Sequence, residues 1–405
     1  MSTVTPTDWQ TRPAPRTAED WIARAAEVAA VLATDAAERD RTGATPYAEV
    51  QLLKDSGLVT LLGPTEHGGG GEDWPTAYRV VREVAKADGS IGQLLGYHYL
   101  WNWAARLVGT REQWEHVEAE AARGRWFFGG AVNPRDKDVV VTEDGDDLVF
   151  TGRKSFSTGS KVSDVTVLEG VFEDTDQHVF AIVPSDSQGL TFHDDWDNIG
   201  QRLTESGGVT LDGVRTPWSS AAGYVDKEFR PRIYNTLNVP TIQLVFVNFY
   251  LGIAGGALET AATYTRTKSR SWLHGGHERA VDEPYVIDVY GDLTAKLWAV
   301  EALADTVAAE GQKLHADPDA VTEKTRGDFE VRVAAVKARA SDVALEISNR
   351  IFEVTGARST ATVEGLDRFW RNVRTHTLHD PVAYKRREVG RWVLESELPE
   401  PTWYS

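Results

Sequence analysis

The 405-residue sequence contains no cysteine. That absence excludes disulfides and thiolate metal sites. Positive charge is also short: 43 Lys and Arg against 61 Asp and Glu give a formal net charge of -18. Such a surface repels nucleic acid phosphates and anionic membranes, so neither is expected as a partner. Asn248, Gly252 and Gly255 break the longest apolar stretches, so no membrane span is expected. The first residues, MSTVTPTDWQ, lack the basic and apolar regions of a signal peptide, and the expectation is a cytoplasmic protein. There is no internal repeat and no low-complexity tract. Two histidine pairs, His274 with His277 and His376 with His379, have no Asp, Glu or His companions at the spacing of a metal motif, so no metal is expected.

What is present is a globular composition, 41% hydrophobic and 26% charged, long enough for two or three packed subdomains. Fourteen Trp, twelve Tyr and thirteen Phe suit either a pocket for a flat ligand or an aromatic core. Residues 1 to 17, with Pro6, Pro13 and Pro15, read as a loose arm. Apolar spacing predicts helices over 21–41, 47–56, 74–86 and 91–108, with a four-glycine break at 68–71. Between Trp126 and Pro217 the pattern changes to short β-branched and aromatic runs punctuated by Gly and Asp, which predicts a small barrel or sandwich. Helical spacing returns over 234–270, 283–315, 323–355 and 366–394, the pattern of a four-helix bundle. The expected fold class is α+β, mostly α, with a helical domain at 1–125, a β domain at 126–228 and a C-terminal bundle at 229–405.

The stretch LDRFWRNVRTHTLHDPVAY, residues 366–384, places Phe369, Asn372, His376, His379 and Ala383 on one helical stripe. Pro381 predicts that the first helix stops at His379 and that Asp380 caps a second one. Two histidines at a break suit a proton-transfer site or a hydrogen-bonded structural cluster. Gly152–Gly159 leaves a strand for a turn that exposes Phe156, Ser157 and Thr158, either an ordinary bend or a grip for a polar ring edge. Tyr97 and His98 lie within a helix, as titratable groups or as satisfied core residues. Arg266, Lys268 and Arg270 close a long helix, answering its dipole or clamping a phosphate, and Gly356-Ala357-Arg358 reads as a C-terminal cap.

These pieces in this order, with GRKSFSTGSKVSD, IGQRLTESGGVTLDGVRTP and RFWRNVRTHTLHDPVAYK, resemble the acyl-CoA dehydrogenase superfamily over nearly the whole chain. Within it the sequence resembles the flavin-dependent monooxygenase branch typified by dibenzothiophene monooxygenase, through ADGSIGQLLGYH, TYTRTKSRSW, the GAR at 356–358 and RNVRTHTLHDPV. Where many dehydrogenases carry a Glu-Gly base this chain has Asp380-Pro381, and Val132-Asn133-Pro134-Arg135 replaces their Thr-Glu-Pro-Gly loop. Both changes oppose desaturation of a CoA thioester.

The resemblance implies a homotetrameric, two-component enzyme. It would take reduced FMN rather than FAD from a separate NAD(P)H flavin reductase and react it with O2. Oxygen would then pass from a flavin hydroperoxide to a small organic substrate, an organosulfur compound being favoured. An N-hydroxylase or aromatic hydroxylase of the same branch, and an FAD-dependent acyl-CoA dehydrogenase, are the alternatives. His379, Thr158 and Tyr97 are the implied catalytic residues. Phe156, Ser157, Thr158, Gly130 and His376 are implied around the flavin, and Arg270 and Arg358 at its phosphate, across a subunit interface. Gln93 and Gly130 stand where the desulfurisation enzymes carry histidine and asparagine.

Overall fold

The computed structural model describes residues 9, 12–135 and 137–402. Most of the expected N-terminal arm lies outside them. Six helices come first: α1 Ala18–Ala33, α2 Ala36–Thr42, α3 Tyr47–Asp55, α4 Trp74–Ala87, α5 Gly89–Val108 and α6 Arg111–Gly124. Polar side chains start several of them by accepting from otherwise free amides, as Thr17 does at α1, Asp73 at α4, Asp88 at α5 and Thr110 at α6. The single helix expected over 21–41 is two. Thr34 turns its hydroxyl back onto Val31 O at 2.7 Å, the local competition that lets a short polar side chain end a helix.

Nine strands follow: β1 Phe128–Ala131, β2 Val139–Asp144, β3 Asp147–Lys154, β4 Val165–Phe172, β5 His178–Pro184, β6 Leu190–Phe192, β7 Val209–Pro217, β8 Tyr224–Val225 and β9 Glu228–Phe229. Seven make one mixed sheet in the order β1-β4-β2-β3-β7-β6, with β5 antiparallel on β4, while β8 and β9 form a separate ribbon. Inward side chains from β2, β3, β5 and β7, among them Val141, Phe150, Val179 and Leu211, give the sheet its own core.

The remaining helices are α7 Asn238–Thr267, α8 Pro284–Ala316, α9 Glu323–Thr355, α10 Asp367–His376 and α11 Val382–Glu395. The chain therefore has the expected order of parts, with helices at both ends of a central sheet. Helix α7 is apolar nearly all round and lies inside the molecule. Contrary to the sequence expectation, Ile233–Thr267 is long and apolar enough to cross a membrane, but its most apolar window is 94% buried within the protein, as a core helix requires. Asn248 and the glycines serve packing instead. A Cβ at Gly256 would lie 1.9 Å from Lys86 O, so only glycine lets α7 approach the backbone of α4 this closely.

The fourth bundle helix is broken, and not where the sequence predicts. Helix α10 ends at His376, three residues before the expected stop, and His379 N–H donates to His376 O at 2.9 Å in the turn beyond it. Asp380 does not cap α11. Pro381 holds the N-cap position, and the Asp380 carboxylate turns inward to ion-pair with Lys337 of α9.

Candidate active site

The break between α10 and α11 opens on a cavity of about 510 Å³ between the sheet, α5 and α7. Tyr97, Phe156, Thr158, His376 and His379 all line it, so five of the residues singled out in the sequence meet at one place.

Each is set by its own element. Phe156 follows β3 at a left-handed φ of 60°, which aromatic residues rarely adopt, and its ring is 64% exposed beside Trp196. Ser157 turns away: its hydroxyl donates to Gly207 O at 2.5 Å. Thr158 heads a chain of hydroxyls, with Thr158 Oγ1 to Ser206 Oγ 2.8 Å, Ser206 Oγ to Thr204 Oγ1 2.8 Å, and Thr204 Oγ1 donating to Gln201 O at 2.9 Å. Because the carbonyl can only accept, each hydroxyl proton points down the chain. Thr158 thus offers the cavity lone pairs, not a donor.

Tyr97, on α5, stacks on Phe246 and places its hydroxyl 3.2 Å from His376 Nε2. The Tyr250 hydroxyl lies 2.7 Å from His376 Nδ1, so both nitrogens of this buried ring are occupied. Burial, with the neighbouring His379 and Lys337, holds the His376 pKa well below its ordinary value, and the ring is neutral. His379 is half exposed, and its Nδ1 lies 3.0 Å from Asp380 Oδ1. Burial works against ionisation of Asp380, but the His379 hydrogen bond and the Lys337 ammonium outweigh it and hold the carboxyl well below the usual carboxylate range. Burial also draws the Lys337 ammonium below its ordinary pKa, against the pull of Asp380. The direct contact between Lys337 Nζ and Asp380 Oδ2 decides for the charged pair, since either ion alone would be buried without compensation.

Gly130 does not line the cavity but backs it. A Cβ there would lie 2.3 Å from the Trp101 indole, which forms part of the wall. Arg270 and Arg358 are exposed and stand apart from this cavity; Arg358 donates to Lys268 O at 2.6 Å, and Ser269 donates to Thr355 O at 3.1 Å, which pins the ends of α7 and α9 together.

Three glutamines are additional wall residues. Gln93 on α5, Gln201 in the loop before β7 and Gln243 on α7 converge with Trp101. Gln93 Oε1, Gln243 Oε1, Gln201 Nε2 and Trp101 Nε1 are buried with no hydrogen-bond partner among the described residues. Unpaired buried polar atoms are costly, so these four atoms, sealed in the wall behind the cavity surface, mark a wall whose polar groups are not fully satisfied by the protein. Gln201 is held at φ 52°, its N–H donating to Asn372 Oδ1 at 2.8 Å and its Oε1 accepting from Ser90 Oγ at 3.2 Å. A signal for Gln243 existed in the sequence, as a lone amide inside the apolar run TIQLVFV. Among the described residues, no group of three or more His, Asp or Glu is arranged to hold a metal ion.

Comparison with known proteins places this architecture. The acyl-CoA dehydrogenase N-terminal domain matches residues 19–125 and the C-terminal domain residues 244–383. Dibenzothiophene monooxygenase of Rhodococcus erythropolis is 40% identical, with 100% of each chain covered. The probable FMNH2-dependent monooxygenase SfnC of Pseudomonas putida is 39% identical over 95% of this chain and 97% of its own. The structure of methanesulfinate monooxygenase MsuC from Pseudomonas fluorescens superposes with a TM-score of 0.91 at 40% identity, covering 95% of this chain and 99% of that one. The chain belongs to the acyl-CoA dehydrogenase family, in the flavin-dependent monooxygenase branch that includes dibenzothiophene monooxygenase.

Proposed function

We propose that this chain is a cytoplasmic, reduced-FMN-dependent monooxygenase acting on a small organosulfur substrate. The observation that carries the reading is the cavity itself, where His379 and Asp380 share a wall with Thr158, three glutamines and the rings of Tyr97, Trp101, Phe156 and Phe246. A lining of aromatic rings with a few polar side chains suits a flat heterocycle, and the relatives at about 40% identity include an FMNH2-dependent enzyme and two that oxidise sulfur compounds. FMN fits better than FAD on the same grounds. The net reaction takes the substrate, O2 and FMNH2 to the oxygenated substrate, FMN and water. Reduced FMN, when bound, supplies the two electrons that activate O2 for transfer of one oxygen atom.

The protein's share is binding, orientation and proton control. Phe156, Thr158, Gln93, Gln201 and Gln243 would hold the ring system, Thr158 as an acceptor. Tyr97, Leu100, Trp101 and Phe246 line the wall against which an apolar substrate would be placed, with bulk water displaced. His379 Nδ1 donates to Asp380, so Nε2 takes up a proton and returns it while the carboxylate stabilises the imidazolium. Asp380, committed to His379 and Lys337, is unsuited to abstracting a proton from an acyl chain, which opposes the dehydrogenase alternative.

Arg270 and Arg358, remote from this cavity, are read as phosphate ligands for the cavity of a neighbouring subunit in a homotetramer. Trp272 at 64%, Leu273 at 85% and Trp298 at 67% exposure give the bundle an apolar surface suited to such packing. A separate NAD(P)H-dependent reductase would supply FMNH2.

The test is to mix the protein anaerobically with FMNH2, then add oxygen and a panel of sulfides, sulfones and sulfinates. The expected result is an oxygenated sulfur product in step with flavin oxidation. Reduction of bound flavin by an acyl-CoA, with no oxygenated product, would overturn the proposal.

A further inference from the structure

Lys337 stands on the buried stripe of α9 with its side chain 2% exposed, a costly place for an ammonium. Asp380 is its one ion-pair partner among the described residues. The same carboxylate reaches His379 through its other oxygen, Oδ1 to Nδ1 3.0 Å, and takes Gln243 Nε2 at a long 3.5 Å on Oδ2. Lys337 Nζ also lies 5.4 Å from the centroid of Phe246, whose ring packs edge-on against His379 at 5.1 Å. His379 Nε2 has no hydrogen-bond partner among the described residues, and His379 lines the cavity. Lysine, carboxylate and imidazole therefore form a line from the bundle core to the cavity wall. Behind the line, Glu330 pairs with Lys385 at 3.2 Å and with Arg326 at 3.2 Å, and Lys385 also pairs with Glu388 at 3.0 Å.

We propose that Lys337 is a positioning residue for His379: by pinning Asp380 Oδ2 it aims Oδ1 at the imidazole, fixing the proton on Nδ1 and presenting Nε2 to the cavity. A carboxylate with one free oxygen can rotate, and a rotated Asp380 would let the ring flip or exchange tautomers. The arrangement resembles in its logic the outer partners that orient metal-bound imidazoles, whose loss typically costs about 10- to 100-fold in affinity or activity. This inference rests on the reading of His379 as the proton carrier.

The test uses a readout that needs no flavin. Diethyl pyrocarbonate acylates neutral imidazole nitrogen, and peptide mass spectrometry reports the rate at His379, with exposed His116 on α6 as an internal reference. Against wild type, Lys337→Met and Asp380→Asn are expected to slow acylation of His379 about tenfold. Product formed per FMNH2 consumed is expected to fall by a similar factor in the same variants. The double variant Lys337→Met/Asp380→Asn removes both charges, avoids a stranded buried ion, and is expected to match Asp380→Asn alone, because Lys337 acts only through the carboxylate. A merely structural lysine would give the opposite sign, since loosening the α10–α11 break exposes His379 and speeds its acylation. Should Lys337→Met misfold, Lys337→Ala, which gives water room beside Asp380, takes its place: acylation of His379 at the wild-type rate in that variant, with Asp380→Asn slowed, overturns the inference. A coupled, fully active His379→Asn variant would instead sink the reading of His379, while the acylation rates still judge Lys337.

Discussion

His376 and His379 stack ring on ring, with centroids 5.4 Å apart and planes 7° apart, yet of the two only His379 keeps a ring nitrogen without a partner among the described residues. Their substitutions should separate accordingly. His379→Asn is expected to bind FMN as wild type does while product per FMNH2 consumed falls by about 100-fold, the low end of a general acid–base contribution, with the balance appearing as hydrogen peroxide. His376→Asn removes the partner of Tyr97 and Tyr250, so it is expected to lower folding stability by about 1–3 kcal/mol and to disturb coupling less. Single-turnover product yields beside urea unfolding curves make the comparison. A coupled His379 variant and an uncoupled His376 variant would mean that the proton carrier is the buried ring.

How far the sequence carried differs from residue to residue. Tyr97, Phe156, Thr158 and the two histidines could be read because each sits in a local pattern, a turn, a helix stripe or a family motif, and the cavity collects them. Asp380 was misread for a physical reason. An Asp-Pro pair is a strong local helix-start signal, but its competitor, Lys337, is 43 residues upstream, and the ion pair outweighs the cap. Glu330 and Lys337, one heptad apart on the buried stripe of α9, were the visible sign of something charged to be met inside the bundle. Gln93, Gln201 and Gln243 come from three separate segments, and their convergence exists only after the fold brings α5, the loop before β7 and α7 together.

A second prediction concerns acid stability. His98 is fully buried, its Nε2–H donating to Val59 O at 2.8 Å and its Nδ1 accepting from Phe128 N–H at 3.0 Å, which answers the sequence ambiguity in favour of a satisfied core residue. Burial pushes its pKa down to about 4. In the unfolded chain it titrates near 6.5, so above that pH neither state is protonated and the native contribution is complete. As pH falls from 6.5 toward 4, the unfolded chain takes a proton that the folded ring refuses, and about 3 kcal/mol of stability is lost. His315, pushed by burial down to about 3, adds to the slope in the same direction. Urea midpoints measured from pH 7 to 4.5 are expected to fall steeply for wild type. His98→Gln is expected to be less stable at pH 7 and flatter in pH; an unchanged slope would show that His98 is not the group responsible.

The third prediction tests how the cavity wall is shaped. Gly130 has no room for a Cβ, because the Trp101 ring occupies that space at 2.3 Å, and the indole Nε1 is one of the unpartnered donors. A larger residue at this position and the indole therefore exclude one another. Gly130→Ala alone forces the indole to move and is expected to cost about 1–3 kcal/mol, as overpacking does. Trp101→Leu alone leaves a gap and is expected to cost about 2–5 kcal/mol. Combined, the added methyl group enters space the indole has vacated, so the double variant is expected to be more stable than the sum of the two losses predicts. Substrate choice should follow the same geometry. With the indole gone, the cavity gains room, so bulkier organosulfur compounds are expected to gain in kcat/KM relative to small ones. Additive stabilities together with an unchanged substrate order would show that the contact between Gly130 and Trp101 does not set the shape of this wall.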